Sequence, residues 1–435
     1  MYSDLADYYL RWYHSRPVAI TGGRREELHR LHRVLMKCID YFVLNYRRLV
    51  PEYMPLGDKE MQILDEQSRY PWRAGTFRPD YIVSSDGRLL LCEITSRFFA
   101  HGIFMSWFGT EYLSRLIGSR EVGSARFGAV DRCHPRHRKR EGPACGRGRE
   151  ATATAPERTE PVSSDLYYTV PPNCAFQEMM DYMLAIAGDA REMYIFKSAD
   201  RSGEIRLYTR FYQSHGIKVT LIEAPEVEAR RAEWDRPGVF LVSALNQVDI
   251  LSYGMDTLKA MMQRGMYSDF RNIFLVHDKR FMSLWFNDEF TSQCLSPGET
   301  SFLRAHAIPT YVSLPPDVRE HKDRYILKPC RLGKSEGVKA GVLCTEEEWN
   351  AVLDSGPASA MICQPFISQR TVPTVWEGTE FNDYLCGMML CVNDRLFDCS
   401  HFRCSSLPVT NIGDDRKAAV LFTDDPALLK LCDVL

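Results

Sequence analysis

One segment constrains the fold more than any other: residues 77–99, FRPDYIVSSDGRLLLCEITSRFF, have the pattern of two short strands around a turn. The pair Asp86-Gly87 is typical of a two-residue type I′ turn, because both central positions of that turn need positive φ. Such a turn places Asp80 directly opposite Glu93 on the neighbouring strand. Side chains that face each other across two strands are about 5 Å apart at their Cβ atoms, so these carboxylates would repel each other. The sequence therefore predicts a hairpin that holds two acidic side chains together.

The same turn places Arg78 opposite Thr95, on the face that carries the two carboxylates. A divalent cation would relieve the repulsion, since Mg²⁺ commonly binds one or two carboxylates together with water and phosphate oxygens. Neutralisation by Arg78 or another basic side chain is the structural alternative. We expect the other face of the hairpin to pack on a core because it is mostly apolar: Tyr81, Val83, Leu90, Cys92 and Ile94.

Composition limits the class of protein. The chain has 435 residues, enough for two or three domains, with 45% hydrophobic and 26% charged residues. Its net charge of −3 gives no general reason to expect nucleic acid or membrane as a partner. The start of the chain does not resemble a signal peptide, and the 14 cysteines are scattered among apolar residues. We therefore expect reduced thiols and a cytoplasmic protein.

The order of helical and strand-like patterns predicts an α/β (α+β) protein in five parts. A helical N-terminal segment covers residues 1–70, and the hairpin with a following helix covers 71–117. A basic insertion covers 118–165, an α/β domain 166–280, and a second α/β lobe 281–435. Alternation of strands and helices after residue 166 favours parallel strand pairing in that part of the chain.

The insertion at residues 118–165 has few large apolar residues and much Gly, Pro, Arg and Ala. Such a segment buries too little apolar surface to offset the entropy lost on ordering, so we expect it to be disordered. Its cysteines and histidines fit none of the common zinc-finger spacings. Its run RHRKR is compatible with nucleic-acid binding, although a solvated charge cluster is the more common role of such runs.

A second group of candidate residues follows the predicted strand YILKP. Lys328 lies at the end of this strand, and the loop after it contains Gly333, Ser335 and Gly337. Backbone amides of such a loop, together with a lysine, are a plausible cradle for phosphate. The order of residues differs from that of a Walker loop.

The short motifs, taken in chain order, resemble those of the synthetase domain of glutathionylspermidine synthases, which are ATP-grasp ligases. The resemblance rests on RPD, DG and EIT in the hairpin, then on HDKRFMSLW, YILKPCRLGKSEG, MICQPFI and FRCSSLPVTN. It covers residues 70–117 and 166–420 as scattered short stretches. It implies an ATP-grasp-type fold in which 166–280 is a pre-ATP-grasp-like domain and 281–435 is the ATP-grasp C-terminal lobe.

The resemblance also implies roles for individual residues. Two arginines would be catalytic, near the transferring phosphate or the substrate carboxylate: Arg78 and Arg403. Three residues would bind Mg²⁺: Asp80, Glu93 and Thr95. Six residues would bind ATP: Lys279, Lys328, Gly333, Ser335, Gly337 and Gln364. The chain departs from the family pattern in two places: Thr95 occupies a position where the family usually has asparagine, and the glycine loop has a different order of residues.

The function implied is that of an ATP-dependent carboxylate–amine ligase, which forms an amide through an acyl phosphate from a small-molecule acid and amine. Three alternatives stay open at this stage. A catalytically inactive nucleotide-binding protein would agree with Thr95 and the altered loop. A carboxylate kinase would stop at the acyl phosphate. A nucleic-acid-associated protein would act through the basic insertion.

Overall fold

A computed structural model describes residues 3–14, 16–96, 102–118, 175–199, 203–264, 266–333, 335–355, 360–410 and 416–435. The predicted disordered insertion, its possible zinc ligands and its basic run lie outside these ranges, apart from residue 118. Along the described ranges, no helix combines the length and apolar character needed to cross a membrane.

The strands, in chain order, are β1 (Val18–Ile20), β2 (Thr76–Val83), β3 (Leu89–Thr95), β4 (Glu192–Lys197), β5 (Lys218–Glu223), β6 (Val239–Ala244), β7 (Tyr325–Pro329), β8 (Lys339–Ala340), β9 (Met361–Pro365), β10 (Thr371–Trp376), β11 (Thr379–Met388), β12 (Leu390–Val392), β13 (Arg395–Phe397), β14 (His401–Ser405), β15 (Arg416–Phe422) and β16 (Asp433–Val434). The α-helices are α1 (Ser3–Leu10), α2 (Gly22–Leu44), α3 (Tyr46–Tyr53), α4 (Asp58–Gln67), α5 (Ile103–Gly118), α6 (Ala175–Ala187), α7 (Glu204–Ser214), α8 (Arg231–Trp234), α9 (Gln247–Ser252), α10 (Met255–Arg264), α11 (Asp288–Cys294), α12 (Pro297–Ala305), α13 (Glu346–Asp354) and α14 (Pro426–Leu429). Short 3₁₀ helices and one π-helical turn, at 272–276, connect them.

The protein is mixed α/β, as predicted, and is built on three sheets within the described residues. The large sheet has ten strands, with the main order β13-β12-β2-β11-β14-β15-β1-β16, and β3 and β10 pair with β2 and β11. Its pairs are antiparallel except those of β1 with β15 and β16. A parallel sheet has the order β5-β4-β6, and an antiparallel sheet, the small sheet below, has the order β8-β7-β9. The boundaries between the five predicted parts stay predictions.

The interpretation of residues 1–70 as helical is wrong at β1. This strand has three residues, and its partners β15 and β16 lie some four hundred positions later in the chain, so no local pattern indicates it. The apolar run NIFLV has the composition of a strand, but residues 272–276 form a buried π-helical turn. Short fully buried apolar runs do not distinguish strand from helix by periodicity. A helix begins after Thr345, which is its N-cap in a capping box with Glu348.

The hairpin turn differs from its prediction. The Ser84 N–H donates to the Arg88 carbonyl at 2.9 Å, and the Gly87 N–H donates to the Ser84 carbonyl at 2.8 Å. Gly87 has φ of 84°, whereas Asp86 is not among the residues with positive φ. The connection is therefore a three-residue loop with a left-handed third residue, which is one residue longer than a type I′ turn. The longer loop pairs Val83 with Leu89.

A β-bulge then restores the predicted pairing. Tyr81 pairs with Leu91, the register shifts between Asp80 and Tyr81, and Asp80 pairs with Glu93. Cys92 is the extra residue of the bulge. The carboxylates are therefore opposed as predicted, although the turn is not. The apolar face of the hairpin changes accordingly, because Leu89 and Leu91, rather than Leu90 and Cys92, join the main core.

The hairpin is packed tightly against β11. A Cβ atom added to Gly387 would overlap the ring of Tyr81, which is buried in the main core. We expect Gly387→Ala to lower the free energy of unfolding by about 2–3 kcal/mol, because the ring has no room to move. Thermal and urea denaturation measure this effect. Gly298→Ala in α12, where nothing lies within 4 Å of the added Cβ, is the matched control and should be neutral or stabilising. Equal stability of the two variants would contradict the expectation.

Candidate functional site

A cleft lies between the small sheet and the face of the large sheet that carries β2, β3, β11 and β14. It encloses about 670 Å³ of empty space, part of which is open solvent. Six of the residues selected from the sequence line it: Asp80, Glu93, Lys328, Ser335, Gln364 and Arg403.

Asp80 is the most tightly held side chain of the cleft, with 1% of its surface exposed. Arg78 binds it with both arms, as Nε donates to Oδ1 at 2.8 Å and Nη2 donates to Oδ2 at 3.0 Å. Arg403 Nη2 donates to Oδ2 at 2.5 Å from β14. Two guanidinium groups from different strands therefore compensate one buried carboxylate, which is the geometry in which a buried charge is tolerated.

Glu93 faces the cleft from the neighbouring strand and is the less constrained carboxylate. Its Oε2 lies 3.7 Å from the Lys279 Nζ. Burial opposes its charge, but the surrounding cations lower the pKa of Glu93 to about 2: Lys279, Lys328, Arg403 and Arg78. Lys328 comes from the small sheet, where its Nζ donates to the carbonyl of Cys92 at 3.1 Å. Glu93 is therefore ionised at neutral pH.

Six charged side chains define the charged end of the cleft. Four of them are cations, namely Arg78, Arg403, Lys279 and Lys328, and two are carboxylates, namely Asp80 and Glu93. The excess of two positive charges in a partly buried cleft attracts anions. Mostly aliphatic side chains line the remainder of the cleft, among them Ile82, Ile308, Ile326 and Val338. Sequence reasoning missed this apolar wall because its members belong to four separate segments.

The sequence also does not predict that two thiols belong to this site. Cys92 and Cys386 line the cleft, and Arg403 Nη2 lies 3.2 Å from the Cys386 Sγ. The hydrogen bond from Cys92 and the charge of Arg403 lower the pKa of Cys386. Burial opposes the charge of Arg403, but Cys386, Asp80 and Glu93 together raise its pKa. The bulge brings Cys92 to this face, and no sequence pattern predicts that bulge.

The tripeptide His277-Asp278-Lys279, called the clasp below, joins the two sides of the charged end. The backbone N–H of Ser96 donates to His277 Nδ1 at 3.2 Å, so the ring proton lies on Nε2 and points at the Arg331 carbonyl, also 3.2 Å away. Lys279 Nζ donates to the Leu332 carbonyl at 2.5 Å. The clasp thus ties the end of β3 to the segment that follows Lys328. The sequence analysis assigned His277 no role.

Asp278 completes the clasp from a fully buried position. Its carboxylate accepts hydrogen bonds from Arg280 and, at 3.0 Å, from the Nε of Arg331. Arg331 in turn pairs with Glu60 of α4. The helical N-terminal part of the chain therefore supports the loop that begins after β7.

Five other selected residues lie near the cleft without lining it: Arg78, Lys279, Thr95, Gly333 and Gly337. Arg78 and Lys279 contact the two carboxylates, and Thr95 is paired with Arg78. In the loop after β7, Ser335, which does line the cleft, has φ of 60° and donates its hydroxyl to the Thr410 carbonyl at 2.7 Å. Gly337, with φ of 68°, packs against Pro329, while Gly333 makes a backbone turn with Glu336. Their roles as ATP or Mg²⁺ ligands stay predictions.

Comparison with known families gives one match. Residues 29–130 match the family model described as the AnkG N-terminal domain. The match covers less than a quarter of the chain, from α2 to beyond α5, and includes the carboxylate hairpin but neither lysine of the cleft. No curated protein matches the chain.

The resemblance to glutathionylspermidine synthases is wrong. No model of that family or of another ATP-grasp family matches, and the family match that is found is a different one. Short motifs, here of two to thirteen residues, arise by chance in a long chain, and their order does not establish descent. The cleft therefore has to be interpreted from its own geometry.

The low pKa of Glu93 generates a prediction on stability. Because its pKa falls from 4.5 to about 2 on folding, the carboxylate stabilises the fold above pH 4.5 and loses this effect as the pH falls towards 2. We expect Glu93→Gln to lower the free energy of unfolding at pH 7 by about 3 kcal/mol and by progressively less below pH 4.5. Urea denaturation between pH 3 and pH 7 measures the difference. Glu380→Gln, at an exposed position of β11, is the control, and a Glu93→Gln effect equal at both ends of this range would contradict the prediction.

Proposed function

We propose that the cleft binds a magnesium–nucleoside triphosphate, predicted to be ATP, and that the chain is an ATP-dependent carboxylate–amine ligase. One observation carries the proposal: at the charged end, Lys328 of the small sheet meets the arginines and carboxylates of the large sheet beside an apolar wall. The cations suit phosphate oxygens, and the apolar wall suits a nucleotide base. The proposal does not depend on membership of the glutathionylspermidine synthase family.

The cations at the charged end would bind and orient phosphate. Arg403 and Lys328 reach the cleft from opposite sheets, so an anion between them would contact both. Arg403 is held in place by Asp80, and Lys328 by the Cys92 carbonyl. Positioned cations of this kind stabilise a transferring phosphoryl group without reorganisation during the reaction.

The two carboxylates fit a magnesium ion that arrives with a triphosphate. Within the described residues, no group of three or more His, Cys, Asp and Glu side chains could hold a metal ion. Mg²⁺ needs fewer ligands from the protein, since it takes most of its ligands from water and phosphate. Glu93 is ionised and faces the cleft, and Asp80 retains one lone pair, on Oδ1, beyond those bound by its arginines. The metal would supply charge neutralisation on the phosphates.

The proposed reaction has two steps. A substrate carboxylate oxygen attacks the γ-phosphorus, the bond to ADP breaks, and an acyl phosphate forms. The amine nitrogen then attacks the acyl carbon, inorganic phosphate leaves, and the nitrogen loses a proton. Arg403 and Lys328 would bind the phosphoryl group in both steps. The loop after β7, which contacts Thr410 through Ser335, would shield the acyl phosphate from water.

An ATP-grasp-type arrangement stays part of this proposal only at the level of architecture, as a nucleotide held between two sheets, with 166–280 as the pre-ATP-grasp-like α/β part. The free thiols of the described cysteines support a reducing, cytoplasmic location. The acid and the amine are small molecules whose identities the cleft does not define.

A specific observation favours a second candidate, a nucleotide-binding protein without turnover. Both oxygens of Asp80 are engaged by arginines, and Thr95 does not line the cleft. Metal binding would then depend mainly on Glu93. Binding of Mg-ATP without release of ADP or phosphate in the presence of acids and amines would support this candidate over the ligase.

Substitution of Lys328 tests nucleotide binding. We expect Lys328→Met to weaken Mg-ATP binding by at least about tenfold, because a buried charge that faces the phosphates is lost. Isothermal titration calorimetry measures the affinity. Lys339→Met changes a lysine of the same sheet that does not line the cleft, and it should leave the affinity unchanged. Equal affinities of the two variants would overturn the placement of the phosphates.

Turnover tests the ligase. We expect phosphate release from Mg-ATP when the purified protein meets pools of carboxylic acids and amines, and much less release when either pool is omitted. Asp80→Asn should abolish the release, because Arg403 loses the carboxylate that positions it. Circular dichroism establishes whether this variant is folded. Release that persists in a folded Asp80→Asn protein would indicate a contaminating ATPase and contradict the proposal.

A further inference from the structure

Gln364 and Gln369 line the cleft, and the Oε1 atom of each is buried without a hydrogen-bond partner among the described residues. Each amide is oriented by a hydrogen bond from its Nε2 atom. Gln364 Nε2 donates to Thr310 Oγ1 at 2.9 Å, and the Thr310 hydroxyl donates to the Ile308 carbonyl at 3.1 Å. Gln369 Nε2 donates to the Pro408 carbonyl at 2.9 Å, an atom that can only accept. Both free oxygens are therefore acceptors.

A buried acceptor without a donor is unfavourable, and Gln364 is fully buried. Two such acceptors in one cleft point to a ligand that donates hydrogen bonds. The resemblance implied that Gln364 binds ATP, whereas sequence reasoning did not select Gln369.

The two amides lie away from the charged end on both sides of the cleft. Gln369 forms a bridge with Ser84, four residues beyond Asp80 along the hairpin, which is about 13 Å at the rise of a strand. Gln364 pairs with Ile326, two residues before Lys328 on β7. Ile82 lies between Asp80 and Ser84 on the hairpin, Ile326 lies directly opposite Gln364, and both line the cleft. A nucleotide with its phosphates at the charged end would place its base between these aliphatic side chains and beside the amides.

We propose that Gln364 and Gln369 determine base specificity by accepting the two N–H groups of a 6-aminopurine. This inference rests on the proposed nucleotide function and adds the selection of the base. Adenine presents a 6-amino group with two donors, whereas guanine and hypoxanthine present a 6-oxo group that only accepts. A 6-oxo group would face two carboxamide oxygens without a hydrogen between them, which leaves all three acceptors unpaired.

The comparison of ATP with ITP tests the inference, because the two nucleotides differ at positions 6 and 1 of the base alone. We expect Mg-ATP to bind at least about 100-fold more tightly than Mg-ITP, as is typical when a site is built to bind a polar group that its competitor lacks. Gln369→Leu and Gln364→Leu should each reduce this ratio to about tenfold or less, mainly through weaker ATP binding. Displacement of a fluorescent nucleotide measures both affinities.

One control variant separates a specific effect from a general one: Gln213→Leu changes an exposed glutamine of α7 and should leave the ratio unchanged. Equal binding of ATP and ITP by the unmodified protein overturns the base selection and leaves the nucleotide function intact. Binding of neither nucleotide overturns the nucleotide function as well. If Gln364→Leu and Gln369→Leu fold and keep the full ratio of ATP to ITP affinity, the role of the glutamines is overturned. The same holds for a leucine variant that keeps this ratio and loses only the binding of an amine substrate.

Discussion

The arrangement of the cleft depends on one buried ion-pair network, in which Asp80 is bound by Arg78 and Arg403. The carboxylate fixes two guanidinium groups from β2 and β14, and these in turn help to keep Glu93 ionised on β3. Removal of the Asp80 charge would leave two cations buried without compensation, a change that is strongly destabilising in other proteins. Stability and anion attraction therefore have the same origin here: a set of positive charges that the protein neutralises only in part.

The sequence predicts the parts of this structure that follow from local patterns. The parallel strands β4, β5 and β6, the capped helix after Thr345 and the strand that ends at Lys328–Pro329 all lie where apolar runs and capping residues indicate them. The opposition of Asp80 and Glu93 was predicted for the wrong reason, since the longer turn and the bulge at Cys92 shift the register in opposite directions and cancel. A bulge depends on packing against β11 and the cleft, and no residue pattern in the hairpin reveals it.

The charged residues of the candidate site could be predicted from the sequence, whereas most residues that form the walls of the cleft could not. Charged and glycine-rich segments are visible in a sequence, so the hairpin and the loop after Lys328 were selected. Ile82, Ile326, Cys386 and Gln369 are ordinary strand or loop residues whose proximity depends on pairing between distant segments. The motif resemblance was wrong for the complementary reason, because it relied on short local matches without the long-range contacts that define a family.

The clasp has a mechanical consequence. His277 and Lys279 fasten the segment after Lys328 to the end of β3. At the opposite end, backbone hydrogen bonds join Ser368 and Arg370 to the hairpin at Ser85 and Val83, and the Ser335 hydroxyl donates to the Thr410 carbonyl. The two walls of the cleft are therefore joined at both ends, so the spacing of the cations and carboxylates is set by the fold before any ligand arrives.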